Sequence, residues 1–196
     1  MKRAAALVGG LLLAYFTLFT VNSLTRGRIF SPDSMNYVEV ARRLAAGDGL
    51  VQTTAGFNDP RFLADAPDPL PFTAQAPAYP LLIAALSVPG IEPADGALLW
   101  SALGALALVL GSGAVGYRLG GWAGAAGAAA LVLLCLPLRV SGRCAWSDTV
   151  GAACVLGALY AAAFPRAFLL AGLLPGLAFA TRHALAAVAP FLCVLA

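Results

Sequence analysis

Five side chains in this sequence have the types and placement to work on a phosphate: Asp33, Arg139, Arg143, Asp148 and Arg182. An arginine guanidinium grips a phosphate through paired, charge-assisted hydrogen bonds. A carboxylate within reach of a hydroxyl takes its proton as the oxygen attacks, which contributes roughly 10²–10⁴ in rate. Two acids and three arginines at one level therefore suit breaking a bond to phosphate and handing the released group to a hydroxyl. Asp33 is the candidate base and Arg182 the first phosphate ligand, with Arg139, Arg143 and Asp148 beside them. Plainer roles stay open for each. Asp33 follows Ser31-Pro32, and an acid in the first turn of a helix is stabilising without any chemistry. Asp148 suits a helix start in the same way. Arg139 and Arg143 can run their stems along lipid to reach headgroups.

The elements that must position these residues are mostly apolar. The chain has 196 residues, 61% of them hydrophobic and 11% charged. Soluble domains carry about 25% charged residues, so lipid is the expected main solvent. A net charge of +3 without a long Lys/Arg run argues against nucleic-acid binding. The four cysteines have neither CxxC nor zinc spacing and read as small buried hydrophobes. His183 is the only histidine, so a histidine-based metal site or triad has little support. "GSGAVG" at 111–116 matches a dinucleotide pattern, but it lies inside an uncharged run with no strand before it. Helix packing explains it better, with Gly116, Gly120 and Gly124 at four-residue spacing and Gly172 and Gly176 repeating it.

A membrane-spanning helix needs roughly 20 apolar residues. Residues 4–24, 96–117, 119–138 and 149–165 qualify, and 167–196 divides near Thr181-Arg182-His183 into a fifth helix and a sixth. The run 4–24 follows Met1-Lys2-Arg3 and reads as an uncleaved anchor, because no small-x-small cleavage site follows it. The expected fold is thus all-α: a polytopic integral membrane bundle of about 5–6 spans. It forms one membrane domain over 1–196, with a long outer loop at 25–95. Alternating spans put Lys2, Arg3, Arg118 and Arg166 on one side and all nine acids on the other. The positive-inside rule makes the first side cytoplasmic. Trp100 and Trp146 then mark the outer boundary, and Tyr117, Trp122, Tyr160 and Phe164 the inner one. The expected location is the inner membrane, with the N-terminus in the cytoplasm.

Within the long loop, 32–46 reads as a helix. Ser31 caps it, Pro32 suits its first position, and Gly47 ends it. Met35, Val38, Ala41 and Ala45 fall on one apolar face, while Arg42 and Arg43 face headgroups. Residues 47–76 read as loop, and 77–89 as a second helix in the outer interface.

The order of features carries a resemblance. One span is followed by "PDSMNYVEVARRLAAGDGL", a Pro-rich loop, "PAYPLLIAAL", small-residue-rich spans, "SDTV" and "GLLPGLAFATRHAL". This resembles the N-terminal part of polytopic glycosyltransferases with the GT-C fold, nearest to the protein O-mannosyltransferase and aminoarabinose-transferase-like group. The matching positions are Asp33, Tyr37, Ala41, Leu44, Gly47 and Gly49, then Pro77, Tyr79 and Pro80, then Arg182. The resemblance implies sugar transfer from a polyprenyl-phosphate carrier on the outer face, with Asp33 catalytic and Tyr37 and Tyr79 on the substrate-binding side. Many members carry two acids in tandem where this chain has Asp33-Ser34. The chain stops inside the apolar run "FLCVLA". The resembled proteins are longer, so the expectation is the front portion of such an enzyme, or one part of a split one whose partner subunit supplies further helices.

The expected partners are the bilayer and the lipid-linked sugar donor. No cofactor is certain, and a divalent metal ion between Asp33 and Asp148 is conceivable. The rival readings are a non-catalytic membrane subunit or lipid-carrier-binding scaffold and, further off, a transporter component, for which the break at Arg182 is the one feature in favour.

Overall fold

A computed structural model describes Tyr15, Val21 and Thr25, and then residues 30–52, 70–72 and 75–188. Most of the first expected span, 4–24, and the end of the last, 189–196, lie outside the described residues.

Helix α1, Pro32–Ala46, has the expected bounds. The Ser31 hydroxyl accepts from Ser34 N–H, and the Ser34 hydroxyl accepts from Ser31 N–H, which satisfies two otherwise orphaned donors. Gly47 ends the helix at φ 93, a left-handed conformation open to glycine at little cost. The buried face differs from the one expected. Met35 is 65% exposed, while Ser34, Tyr37, Val38, Val40 and Ala41 are buried. Apolar spacing alone left out Ser34, whose hydroxyl is satisfied internally and so tolerates burial.

The segment read as loop contains a short antiparallel pairing. Strand β1, Val51–Gln52, pairs with β2, Leu70–Pro71, and Phe72 N–H donates to Leu50 C=O at 2.9 Å. This pairing returns the chain to α1, where Phe72 meets the Tyr37 ring edge-on. Helix α2, Ala78–Ser87, follows. It buries Tyr79, Pro80, Ile83 and Ala84 against α1 and the next helix.

Helix α3, Pro93–Leu134, starts with the Glu92 carboxylate accepting from Ala94 N–H and with Pro93 in its first turn. It then reverses at Gly120 and Gly121, the latter at φ 59. The two runs read as separate spans are therefore two arms of one hairpin. The arms touch where a Cβ on Gly116 or Gly124 would run into the other residue's carbonyl. The small-residue reading holds at that pair. It does not hold at Gly120, Gly172 or Gly176, where a Cβ would meet open space.

After a bend at Cys135 come α4, Leu136–Ser141, and α5, Asp148–Ala162. A 3-10 turn, Pro165–Ala167, leads into α6, Phe168–Thr181. The chain breaks at Arg182, as expected, and continues as a 3-10 turn over His183–Val188. The start of α5 abuts the first arm of α3, where a Cβ on Gly104 would lie 2.7 Å from Thr149 C and Val150 N. Helix α6 runs back along α5, with Leu174 beside Gly157 and Thr181 beside Gly151.

These contacts define two levels. At one, Ser101 bonds Trp146 C=O and Thr149 Oγ1. At the other, the Arg118 guanidinium lies 4.2 Å from the Phe164 ring centroid, beside Tyr160. At 1.5 Å per residue the helix between Ser101 and Arg118 spans about 26 Å, close to the roughly 30 Å of a bilayer's hydrocarbon core. Between the levels the exterior is apolar, with Leu131, Leu134, Leu169, Leu170 and Leu173 exposed. Among the described residues one helix, Pro93–Leu134, is long and apolar enough to cross a membrane; α2, α5 and most of α6 are shorter apolar helices. The best-packed core lies at the Ser101 level, built from Tyr37, Val40, Ala41, Tyr79, Ile83, Ala97, Leu98, Ala145 and Val150.

Candidate functional site

The N-terminus of α1 is fastened to the segment between α4 and α5. Ser34 Oγ, wholly buried, donates to Cys144 C=O at 2.7 Å. Trp146 Nε1–H donates to Ser31 Oγ at 2.7 Å. Tyr37 Oη and Ser147 Oγ lie 3.4 Å apart. The Ser34 proton goes to the carbonyl, so the Ser31 hydroxyl is the donor in the 2.9 Å Ser31–Ser34 contact. Between the fastened residues Ala145 is wholly buried at φ 46, a conformation that costs an alanine roughly 1–2 kcal/mol. The turn it forms delivers Asp148 to the first position of α5.

Asp148 receives Arg182. Arg182 Nη1 donates to Asp148 Oδ2 at 2.8 Å, with side chains 41% and 34% exposed. Arg182 can reach this point because α6 ends there in extended backbone, φ −154 and ψ 111. Asp33 is exposed, and its Oδ1 accepts from Gln75 Nε2 at 3.1 Å. Tyr37, one turn after Asp33 in α1, reaches Ser147 beside Asp148. Burial pushes its phenol above the ordinary range, the Ser147 hydrogen bond opposes this, Asp33 and Asp148 add to it, and Arg182 lowers it. Burial likewise raises the Asp148 carboxyl, opposed by Arg182 and by its own backbone N–H, while Asp33 adds to the rise. Asp33 and Arg182, from distant parts of the chain, thus both bear on Tyr37 and on Asp148.

The other expected site residues lie elsewhere or do other work. Tyr79, expected on the substrate-binding side, is wholly buried. Its hydroxyl donates to Ala97 C=O at 2.8 Å and contacts Ser101 Oγ at 2.8 Å, and its ring supports Tyr37 edge-on at 5.1 Å. Arg143 precedes the fastened Cys144, and its Nε is shielded from solvent without a hydrogen-bond partner. Arg139 belongs to α4, and its side chain lies outside the described residues. Arg42 and Arg43 do not simply face headgroups: Arg42 pairs with Glu92, and Arg43 with Glu39 and Asp48. Trp100 and Trp146 give their indole N–H groups to Leu82 C=O and Ser31 Oγ. Cys144 and Cys154 are buried as expected, whereas Cys135 is exposed at the bend after α3.

Among the described residues no three His, Cys, Asp or Glu side chains gather. Asp33 and Asp148, the pair conceived as a divalent-ion site, supply two carboxylates, one of them engaged by Arg182. Sequence reasoning missed Ser34, Gln75 and Ser147 as supports of the site. The Ser-Pro-Asp-Ser spacing that closes the reciprocal cap was the one legible sign of Ser34's role. No protein-family profile, curated protein or solved structure matches this chain.

Proposed function

We propose that this chain is a polytopic membrane glycosyltransferase of the GT-C type, or the N-terminal part of one. It transfers a sugar from a polyprenyl-phosphate carrier to an acceptor at the outer face of the inner membrane. The observation that carries this reading is the fastening of the N-terminus of α1, which bears Asp33, to the 144–147 segment that leads into Asp148 and its partner Arg182, at one end of largely apolar helices. A lipid phosphate rests at headgroup level with its sugar in water, which is where these groups sit if the two arms of α3, α5 and α6 cross the bilayer together with the run at 4–24. Arg182 takes the phosphate and offsets the charge that grows on it as the glycosidic bond breaks. Asp33, exposed and steered by Gln75, accepts the proton of the acceptor hydroxyl. Tyr37 keeps its proton and fixes the spacing between the two.

Ser34 favours a second reading. It stands where many of the resembled proteins carry a second acid, and its burial leaves it no access to substrate. A non-catalytic subunit that only holds the lipid carrier would need Arg182 but not a pair of acids.

The test uses the natural full-length protein in vesicles made from lipids of its own source, with release of polyprenyl phosphate followed by mass spectrometry. Loss of release in Asp33→Asn, with carrier binding kept, supports the transferase. Carrier binding without release in the unaltered protein supports the scaffold. Absence of both sinks the two readings together.

A further inference from the structure

The guanidinium read as the phosphate ligand is already occupied. Arg182 Nη1 is held by Asp148 Oδ2 at 2.8 Å, so a phosphate entering this site meets a carboxylate in place. Resting on the reading of Arg182 as the phosphate ligand, we propose that Asp148 is a displaceable resident anion: its carboxylate holds Arg182 in the empty site, and an incoming phosphate takes its place.

Three features make the exchange feasible. The guanidinium offers five N–H donors in a fixed fork, and of these only an Nη1 donor reaches Asp148. Arg182 is 41% exposed, so a tetrahedral anion has an approach to the remaining donors. Asp148 also has somewhere to go. It is the first residue of α5, where the helix dipole favours negative charge. A phosphate monoester, such as the carrier left after transfer, has more charge and more acceptor oxygens than a carboxylate, so it gains more from the same fork. The exchange also gives selectivity, because anions no stronger than a carboxylate do not displace one that is tethered. Once released, Asp148 stands next to Ser147, which Tyr37 contacts, so a second carboxylate comes free in the site only when phosphate is bound.

This makes a prediction opposite in sign to the plain reading of Asp148 as a binding residue. Half-exposed ion pairs are weak, so removing the competitor tightens phosphate binding by roughly two- to fivefold. The experiment measures the Kd of farnesyl phosphate and of inorganic phosphate for the full chain in neutral phosphatidylcholine nanodiscs. Unaltered protein is compared with Asp148→Asn and Arg182→Gln. The expected result is tighter binding in Asp148→Asn and near loss of binding in Arg182→Gln. A gain for farnesyl phosphate alone assigns the site to a lipid headgroup, and a gain for both probes to phosphate in general. Either supports the exchange. Unchanged or weaker binding in Asp148→Asn, with binding lost in Arg182→Gln, overturns the exchange and leaves Arg182 as the phosphate ligand. Unaltered binding in Arg182→Gln overturns both. If Asp148→Asn does not fold, Asp148→Ser keeps a hydrogen-bonding side chain at the helix start and is read in the same way.

Discussion

Replacing Ser34 with the acid that many of the resembled proteins carry there tests the fastening of α1 directly. Ser34 Oγ donates to the buried Cys144 carbonyl, accepts from Ser31 N–H and receives the Ser31 hydroxyl. Ser34→Ala removes all three contacts and leaves a buried carbonyl without a donor, which costs about 1–3 kcal/mol. For a chain of this size each kcal/mol shifts Tm by about 2–4 °C, so the alanine variant should melt roughly 2–12 °C lower. Ser34→Asp is worse at neutral pH, because an ionised carboxylate faces a carbonyl oxygen in a site with no solvent access. Its cost is several kcal/mol. The protonated carboxyl, however, can donate to Cys144 C=O. Burial therefore raises the pKa of the new group in the folded state, and stability is lost as pH rises through that value. The aspartate variant should accordingly melt higher in acid than at neutral pH relative to the alanine variant. The assay is thermal unfolding in mild detergent, followed by tryptophan emission, across a pH series. A Ser34→Asp variant as stable as the unaltered protein at neutral pH would refute the fastening and reopen the site to a tandem pair of acids.

Two further outcomes follow from packing and titration. Gly104→Ala should cost about 1–3 kcal/mol, because its Cβ would press on the backbone of Thr149 and Val150. Gly127→Ala in the second arm of α3 meets open space and should be neutral or slightly stabilising; equal melting points for the two variants would contradict the helix contact. Tyr37 and Tyr79 are both held above the ordinary phenol range by burial. The unfolded chain loses these protons near pH 10 while the folded chain keeps them. Stability contributed below that point should therefore fall as pH rises further. Phenolate absorbance should show late-ionising tyrosine in the folded protein, and Tyr37→Phe should remove one such step.

Local signals were legible where neighbours in sequence are also neighbours in space. The bounds of α1 follow from Ser31, Pro32 and Gly47, and the break at Arg182 from a charge interrupting an apolar run. Two apolar runs either side of Arg118 were legible as helices, yet the reversal sits at Gly120–Gly121, where backbone freedom rather than charge decides it. The level argument placed Asp33, Asp148 and Arg182 together, because charges avoid lipid and collect at its edge. The supports could not be read in the same way. Ser34 and Cys144 are 110 residues apart, and a buried serine looks like any other until its partner is known. Tyr79 illustrates the reverse error: a tyrosine in a matching motif was assigned to substrate, while its hydroxyl serves Ala97 and Ser101.

Ser101 is wholly buried, and through it Tyr79 of α2, Trp146 and Thr149 of α5 are joined to α3. This node imposes an order on biogenesis. A ribosome adding about 5–20 residues per second makes Ser34 roughly 5–20 s before Cys144, and during that interval α1 has no turn to dock on. Nascent chains halted before Cys144 would lack the partners that Ser34, Tyr37 and Ser101 find in the 144–147 segment. The polar end of the molecule is therefore the last part to close, and its completion signals that the helices beneath it have been delivered.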